Sequence, residues 1–172
     1  LCAHPPCPLG EPADLLRRSD DTSRSPSALL KRANRELMDL EVGKFATMVV
    51  GVLDMQTNTL RYSVAGDLPQ PVLVSGEGAR YLRGEGPAVG IMEDAHYEEH
   101  LIDLPDSFML ALFSDGILEI LPPKNLIEKE KYFLEVFEQA AASPEEMVTR
   151  LGLDRVGTAP DDIAALFISK RG

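Results

Sequence analysis

The feature that most constrains this chain is a pair of apolar runs joined by a short polar turn. ATMVVGVLDM fills residues 46–55, QTNT follows, and LRYSVAG returns over residues 60–66. β-Branched runs that meet across a Thr/Asn turn read as a β-hairpin. The first run is apolar on both sides of its alternation, which is too rich for a one-sided edge strand. A hairpin of this kind is stable only as part of a larger sheet with a covered face, so the rest of the chain must supply further strands and a cover.

Both are legible. Ser25-Pro26-Ser27 is a helix start, with proline at the first helical position. Leu29, Leu30, Ala33, Leu37 and Leu40 then recur at helical spacing, with Lys31, Arg32, Arg35 and Glu36 between them. The spacing predicts an amphipathic helix of about four turns. Further strands are expected at Pro71–Val74, Ala79–Leu82, Tyr97–Leu104 and Phe108–Phe113, the last two separated by LPDS. A short helix is expected over Ile117–Leu121, closed by Pro122-Pro123, and a longer one over Asn125–Ala142. Ser143 and Glu146 stand in capping-box register before another helix that runs through Leu151. The last element is an apolar strand, Ile163–Ile168. The strands follow hairpin order and the helices are grouped, so the fold class is α+β in layers and not a doubly wound sheet.

Composition narrows the function. The 28 acidic side chains outnumber the 17 basic ones for a formal charge of −11. Such a surface repels a phosphate backbone, so nucleic acid is not the expected partner. No apolar run reaches the ~20 residues of a membrane helix, and no basic-then-apolar leader opens the chain; the expectation is a cytoplasmic protein without a membrane partner. Residues 1–24 hold four prolines in the first twelve positions and no period, and read as an irregular segment ahead of a domain over 25–172. Cys2, His4 and Cys7 offer three zinc donors within it, without the second downstream pair of a structural site.

Two acidic positions stand out. Asp115 follows the apolar run ALF-Ser, and Asp161-Asp162 directly precedes IAALFI. If those strands are antiparallel neighbours, the end of one meets the start of the other, and Asp115 and Asp161 share one edge of the sheet. Carboxylates gathered there repel unless a cation offsets them. Mg²⁺ and Mn²⁺ take oxygen ligands of this kind, and Gly116 leaves room beside the carboxylate. The alternative is ordinary turn chemistry, since Asp-Gly after a strand needs no ligand to explain it.

The motifs then resemble a known family over about Ser25 to Ile168. Leu30-x-x-x-Asn34-x-x-Leu37, Phe45-x-Thr47 before the hairpin, Ala65-Gly66-x-x-Pro69 after it, GPAVGI (86–91), Ser114-Asp115-Gly116-x-x-Glu119 and Asp161-Asp162-x-Ala164 occur in order. They are similar to those of the SpoIIE-like branch of the bacterial type 2C metal-dependent Ser/Thr protein phosphatases. The resemblance implies a β-sandwich flanked by helices (αββα) with two Mn²⁺ or Mg²⁺ ions at one end. It implies a metal-activated water as the nucleophile, with no side-chain nucleophile. Asp115 and Asp161 match the family's metal ligands, Asp162 is the alternative ligand if the register slips, and Gly116 and Glu119 flank the site. The implied substrate is a phosphorylated regulatory protein such as an anti-sigma-factor antagonist, and an upstream receiver domain is a family expectation.

Departures from the family pattern are specific. Its first metal motif, Asp-x-Ser-Gly-x-Gly, has no convincing counterpart within residues 1–24, so either that segment is missing from this sequence or the site is degenerate. Asp67 and Ala164 stand where the family has histidine and threonine, and LPDS replaces its Pro-Gly-Asp turn. These leave a second reading, a degenerate phosphatase-like module that binds a partner in sigma-factor regulation. His96-Tyr97-Glu98-Glu99-His100 fits a zinc-peptidase pattern, but that chemistry needs a helix and the sequence here alternates like a strand. GEGPAVG (84–90) lacks the Lys-Ser/Thr of a nucleotide loop.

Overall fold

The computed structural model describes residues 25–40, 43–66, 69–123, 125–139, 143–155 and 162–171. Cys2, His4, Cys7, Asp67 and Asp161 lie outside them. The chain divides into two compact units, residues 1–67 with 84–103, and residues 68–83 with 104–172.

The first unit carries helix α1 (Pro26–Asp39) and strands β1 (Met48–Asp54), β2 (Thr59–Ala65) and β5 (His100–Asp103). Ser25 caps α1 through its hydroxyl, which accepts the Ala28 N–H at 3.3 Å. Of the anticipated stripe, Leu29, Leu30, Ala33 and Leu37 are buried, and Leu30, Ala33 and Leu37 pack with Ala65, Val89 and Tyr97, whereas Leu40 lies past the last helical residue and is exposed. The sheet order is β1-β2-β5, all antiparallel. In the hairpin turn, the Asp54 carboxylate accepts the Gln56 and Thr57 N–H groups at 2.8 and 3.1 Å. The Thr57 and Gln56 amides hold that carboxyl below its ordinary value. Asn58 closes the turn in the left-handed region, at φ 54°.

Among the described residues β1 pairs with β2 alone. Its apolar content is used locally: Met48 and Val50 pack against the α1 cluster, while Gly51, Val52 and Asp54 are exposed.

A strap leads from Gly84 to Met92 in the same unit. It bonds to the sheet where Gly66 N–H donates to the Gly86 carbonyl at 2.9 Å, and it pairs Ala46 with Val89. Buried Asn34 fastens it to α1: its amide nitrogen donates to the Met92 carbonyl and its oxygen accepts the Gly90 N–H, both at 2.7 Å. Gly90 needs to be glycine here, since its φ is +91° and a Cβ would lie 2.7 Å from the Lys44 carbonyl oxygen.

The second unit carries β3 (Val72–Ser75), β4 (Gly78–Tyr81), β6 (Phe108–Phe113), α2 (Ile117–Ile120), α3 (Leu126–Gln139), α4 (Pro144–Arg150) and β7 (Ala165–Lys170). Its sheet has the order β4-β3-β6-β7, again antiparallel throughout. One face of the sheet, with Val72, Val74, Met109, Ala111 and Phe113, packs on Ile117, Phe133, Phe137 and Met147 from the helices. Phe113, Phe133 and Phe137 meet edge to face, with centroids 5.0 to 6.1 Å apart. Tyr81 donates its phenol to the Glu130 carbonyl at 2.8 Å, and burial pushes that phenol well above its ordinary pKa.

The capping box expected at α4 is not made. The Ser143 hydroxyl donates to Glu145 at 2.7 Å, and Glu146 is taken by Arg150 at 2.8 Å. The partner one turn on competes successfully for the glutamate. The antiparallel sheets and grouped helices bear out the α+β expectation, and among the described residues no helix is long and apolar enough to cross a membrane.

Candidate metal centre

The register of β6 and β7 positions the candidate site. Phe113, the last residue of β6, is opposite Ala165, the first of β7. Residues following Phe113 and preceding Ala165 therefore emerge at the same edge of the sheet. This is the arrangement the acidic positions required.

Ser114 joins the two segments. Its N–H donates to the Ala164 carbonyl at 3.0 Å. Its hydroxyl donates to the Asp162 carbonyl at 3.1 Å and accepts the Ala164 N–H at 2.8 Å. The chain then turns into α2, with Leu118 N–H bonded to the Asp115 carbonyl at 2.9 Å and Glu119 N–H to the Gly116 carbonyl at 3.2 Å. Asp115 is exposed, and its carboxylate accepts the Gly116 N–H at 3.1 Å.

Gly116 is glycine for proximity and not for backbone conformation. Its φ of −53° suits any residue. A Cβ there would lie 2.5 Å from the Asp162 carbonyl oxygen and 3.1 Å from its carbon. The main chain at Asp162 thus fills the space a side chain at 116 would occupy.

Asp162 is exposed at the same edge, while Asp161 lies outside the described residues. Glu119 is exposed in the first turn of α2. Lys129 of α3 steadies this short helix by donating to the Leu118 carbonyl at 2.5 Å. Among the described residues no three His, Cys, Asp or Glu side chains gather as a metal cluster; the structure brings Asp115 and Asp162 to one edge. Their carboxylates are hard oxygen donors, and that chemistry fits Mg²⁺ or Mn²⁺ and not a thiophilic metal.

Ser114 was not among the candidates read from the sequence. The signal was present: a hydroxyl directly before Asp-Gly, at the end of a buried strand, can bond across to whatever strand lies beside it. The zinc-peptidase pattern resolves differently. Residues 96–99 are not helical and His100 opens β5, where it stacks on Tyr62 with centroids 5.0 Å apart. Glu99 serves the start of α1, accepting the Ser25 hydroxyl at 2.7 Å and the Ser27 N–H and hydroxyl at 3.2 and 3.1 Å.

The chain is similar to phosphatase domains of known proteins. Phosphoserine phosphatase RsbU of Bacillus subtilis is 27% identical over 133 residues, 76% of this chain and 40% of RsbU. The crystal structure of the RsbU and RsbW domains of a Mycobacterium tuberculosis protein matches 92% of this chain and 46% of its own, with a TM-score of 0.72 at 24% identity. The phosphatase domain of the cell-fate determinant SpoIIE from Bacillus subtilis, presoaked with Mn, matches 93% of this chain and 70% of its own, with a TM-score of 0.60 at 15% identity. The chain spans less than half the length of the first two of these proteins. The likeness to the two solved structures establishes the fold, that of the type 2C phosphatase domain. The sequence model of the family described as Stage II sporulation protein E (SpoIIE) matches residues 10–171, and the chain belongs to that family.

Proposed function

We propose that this chain is a metal-dependent phosphoprotein phosphatase domain that removes phosphate from a phosphoserine or phosphothreonine of a regulatory protein, such as an anti-sigma-factor antagonist. The observation that carries the reading is the β6–β7 register, which brings the Asp115-Gly116 turn against Asp162 in a chain of the SpoIIE family. Asp115 and Asp161 are the proposed ligands of two Mn²⁺ or Mg²⁺ ions, with Asp162 the alternative to Asp161. Glu119 and Gly116 flank them. The Mn-presoaked SpoIIE phosphatase domain supports that choice of metal. Such ions supply charge for the phosphoryl oxygens and an activated water, and so remove the need for a side-chain nucleophile.

The chain's own residues hold and orient. Asp115 projects from a turn fixed by hydrogen bonds on both sides, so its carboxylate is presented without a large ordering cost at binding. Its exposure leaves the edge open to a phosphorylated segment of a protein substrate.

Hydrolysis of an aryl phosphate by the full-length protein, with and without Mn²⁺, tests the reading. Asp115→Asn is expected to lower Mn²⁺-dependent turnover by about a hundredfold or more, the scale of losing a major electrostatic element. Turnover in Asp115→Asn equal to wild type sinks the assignment. A wild-type protein that neither turns over nor binds Mn²⁺ is the partner-binding module instead.

A further inference from the structure

We infer that Ser114 is a positioning residue for the metal centre: its hydroxyl locks the Asp115 turn to the segment that opens β7, and so sets the affinity for the divalent ions. The inference rests on the metal reading of Asp115 given above.

The geometry is unusually dense for one small side chain. A single hydroxyl donates to the Asp162 carbonyl and accepts from the Ala164 N–H, at 3.1 and 2.8 Å. The Ser114 main-chain N–H adds a third bond to the same segment, at 3.0 Å to the Ala164 carbonyl. These bonds continue the β6–β7 ladder past its last paired residues, Phe113 and Ala165. On the other side of Asp115, bare Gly116 rests against the Asp162 carbonyl. Asp115 is thus flanked on both sides by residues fastened to the same short stretch of chain.

Such fastening matters most where like charges meet. Without a cation, carboxylates at one edge repel, and the cheapest relief is for the turn and the β7 lead-in to part. Hydrogen bonds from a hydroxyl to main-chain groups oppose that parting without adding charge. The lock therefore keeps the acidic groups close in the metal-free protein, which lowers the cost of assembling the site when the ion arrives. Partners that orient metal ligands from behind in this way commonly change affinity by about 10- to 100-fold when removed.

Mn²⁺ titration calorimetry on the full-length protein tests this, with thermal unfolding in metal-free buffer alongside. Ser114→Ala and Ser114→Val should raise the Mn²⁺ Kd by about tenfold or more. Ser114→Thr keeps the hydroxyl and should return the Kd to near wild type. Threonine and valine have the same shape, so that pair decides the matter even if the alanine variant folds poorly. Asp115→Asn, run in parallel, separates the two levels of the argument. If Asp115→Asn weakens Mn²⁺ binding while Ser114→Val keeps the wild-type Kd, or if Ser114→Thr binds no better than Ser114→Val, the role of Ser114 is refuted and the metal reading stands. If Asp115→Asn binds Mn²⁺ as wild type does, the metal reading falls and this inference falls with it.

Discussion

The two units solve the same problem, seating helices on an antiparallel sheet, by different means. In the first, α1 is held by a modest apolar cluster and by polar pins: buried Asn34 fixes the strap at Gly90 and Met92, and Glu99 gathers the hydroxyls at the helix start. In the second, the helices sit on an interlocking group of phenylalanines, and the directional polar bonds of Ser114 are at the sheet edge. Hydrogen bonds fix one geometry, whereas apolar packing supplies energy with less directional constraint. In the second unit the apolar core reaches the candidate edge through Phe113 and Ile117, and Ser114 adds the directional bonds there.

This contrast has measurable consequences. Phe137 is fully buried among Phe113 and Phe133, and Phe137→Ala should cost about 3–5 kcal/mol. Chemical denaturation would read this, and a loss under 1 kcal/mol would break the claim that the aromatic group holds the second unit. Asn34→Ala leaves the Gly90 N–H and the Met92 carbonyl without their partner and should cost about 1–3 kcal/mol. Hydrogen exchange sharpens that prediction, because the faster exchange should concentrate in the strap at Gly90. Gly116→Ala forces a Cβ onto the Asp162 carbonyl and should destabilise by about 1–3 kcal/mol; a neutral effect would show that the turn and the β7 lead-in are not tightly apposed.

The smallest effect concerns acid. Partial desolvation pushes the Glu99 carboxyl up, but hydrogen bonds from Ser25 and Ser27 and the charge of Arg61 outweigh it and hold the group below its ordinary value. Glu99 therefore contributes in full above the ordinary glutamate pKa of about 4.3, and its contribution is lost as pH falls through its lowered folded value. Glu99→Gln should flatten the acid limb of the stability–pH profile and leave its neutral region little changed in shape. An unaltered acid limb would remove Glu99 from the list of pins.

Much of this was legible in the sequence. β6 runs over Phe108–Phe113 as expected, because polar LPDS and SDG bracket an apolar run. α1 matches its Ser-Pro start and its leucine stripe as far as Leu37, while Leu40 falls past its end and is exposed. Contacts distant in sequence explain the misses. β7 begins at Ala165, two residues later than expected, because Ser114 engages the main chain at 162–164. β5 is shorter than the alternation of residues 97–104 implied, because Tyr97 is buried in the α1 cluster and Glu99 turns to the helix start. The role of Ser114 depends on which strand lies alongside, and local pattern does not encode that. The pairing of Asp115 with the start of β7 was legible only as a condition on strand order, which the β6–β7 register meets.

The most direct test of the metal reading is a count of bound ions by Mn²⁺ electron paramagnetic resonance titration of the full-length protein, wild type beside Asp115→Asn. The account predicts two saturable Mn²⁺ per wild-type chain and loss of tight binding in the variant. No saturable binding in wild type, or an identical titration in Asp115→Asn, would contradict it and return Asp115 to the role of a turn residue.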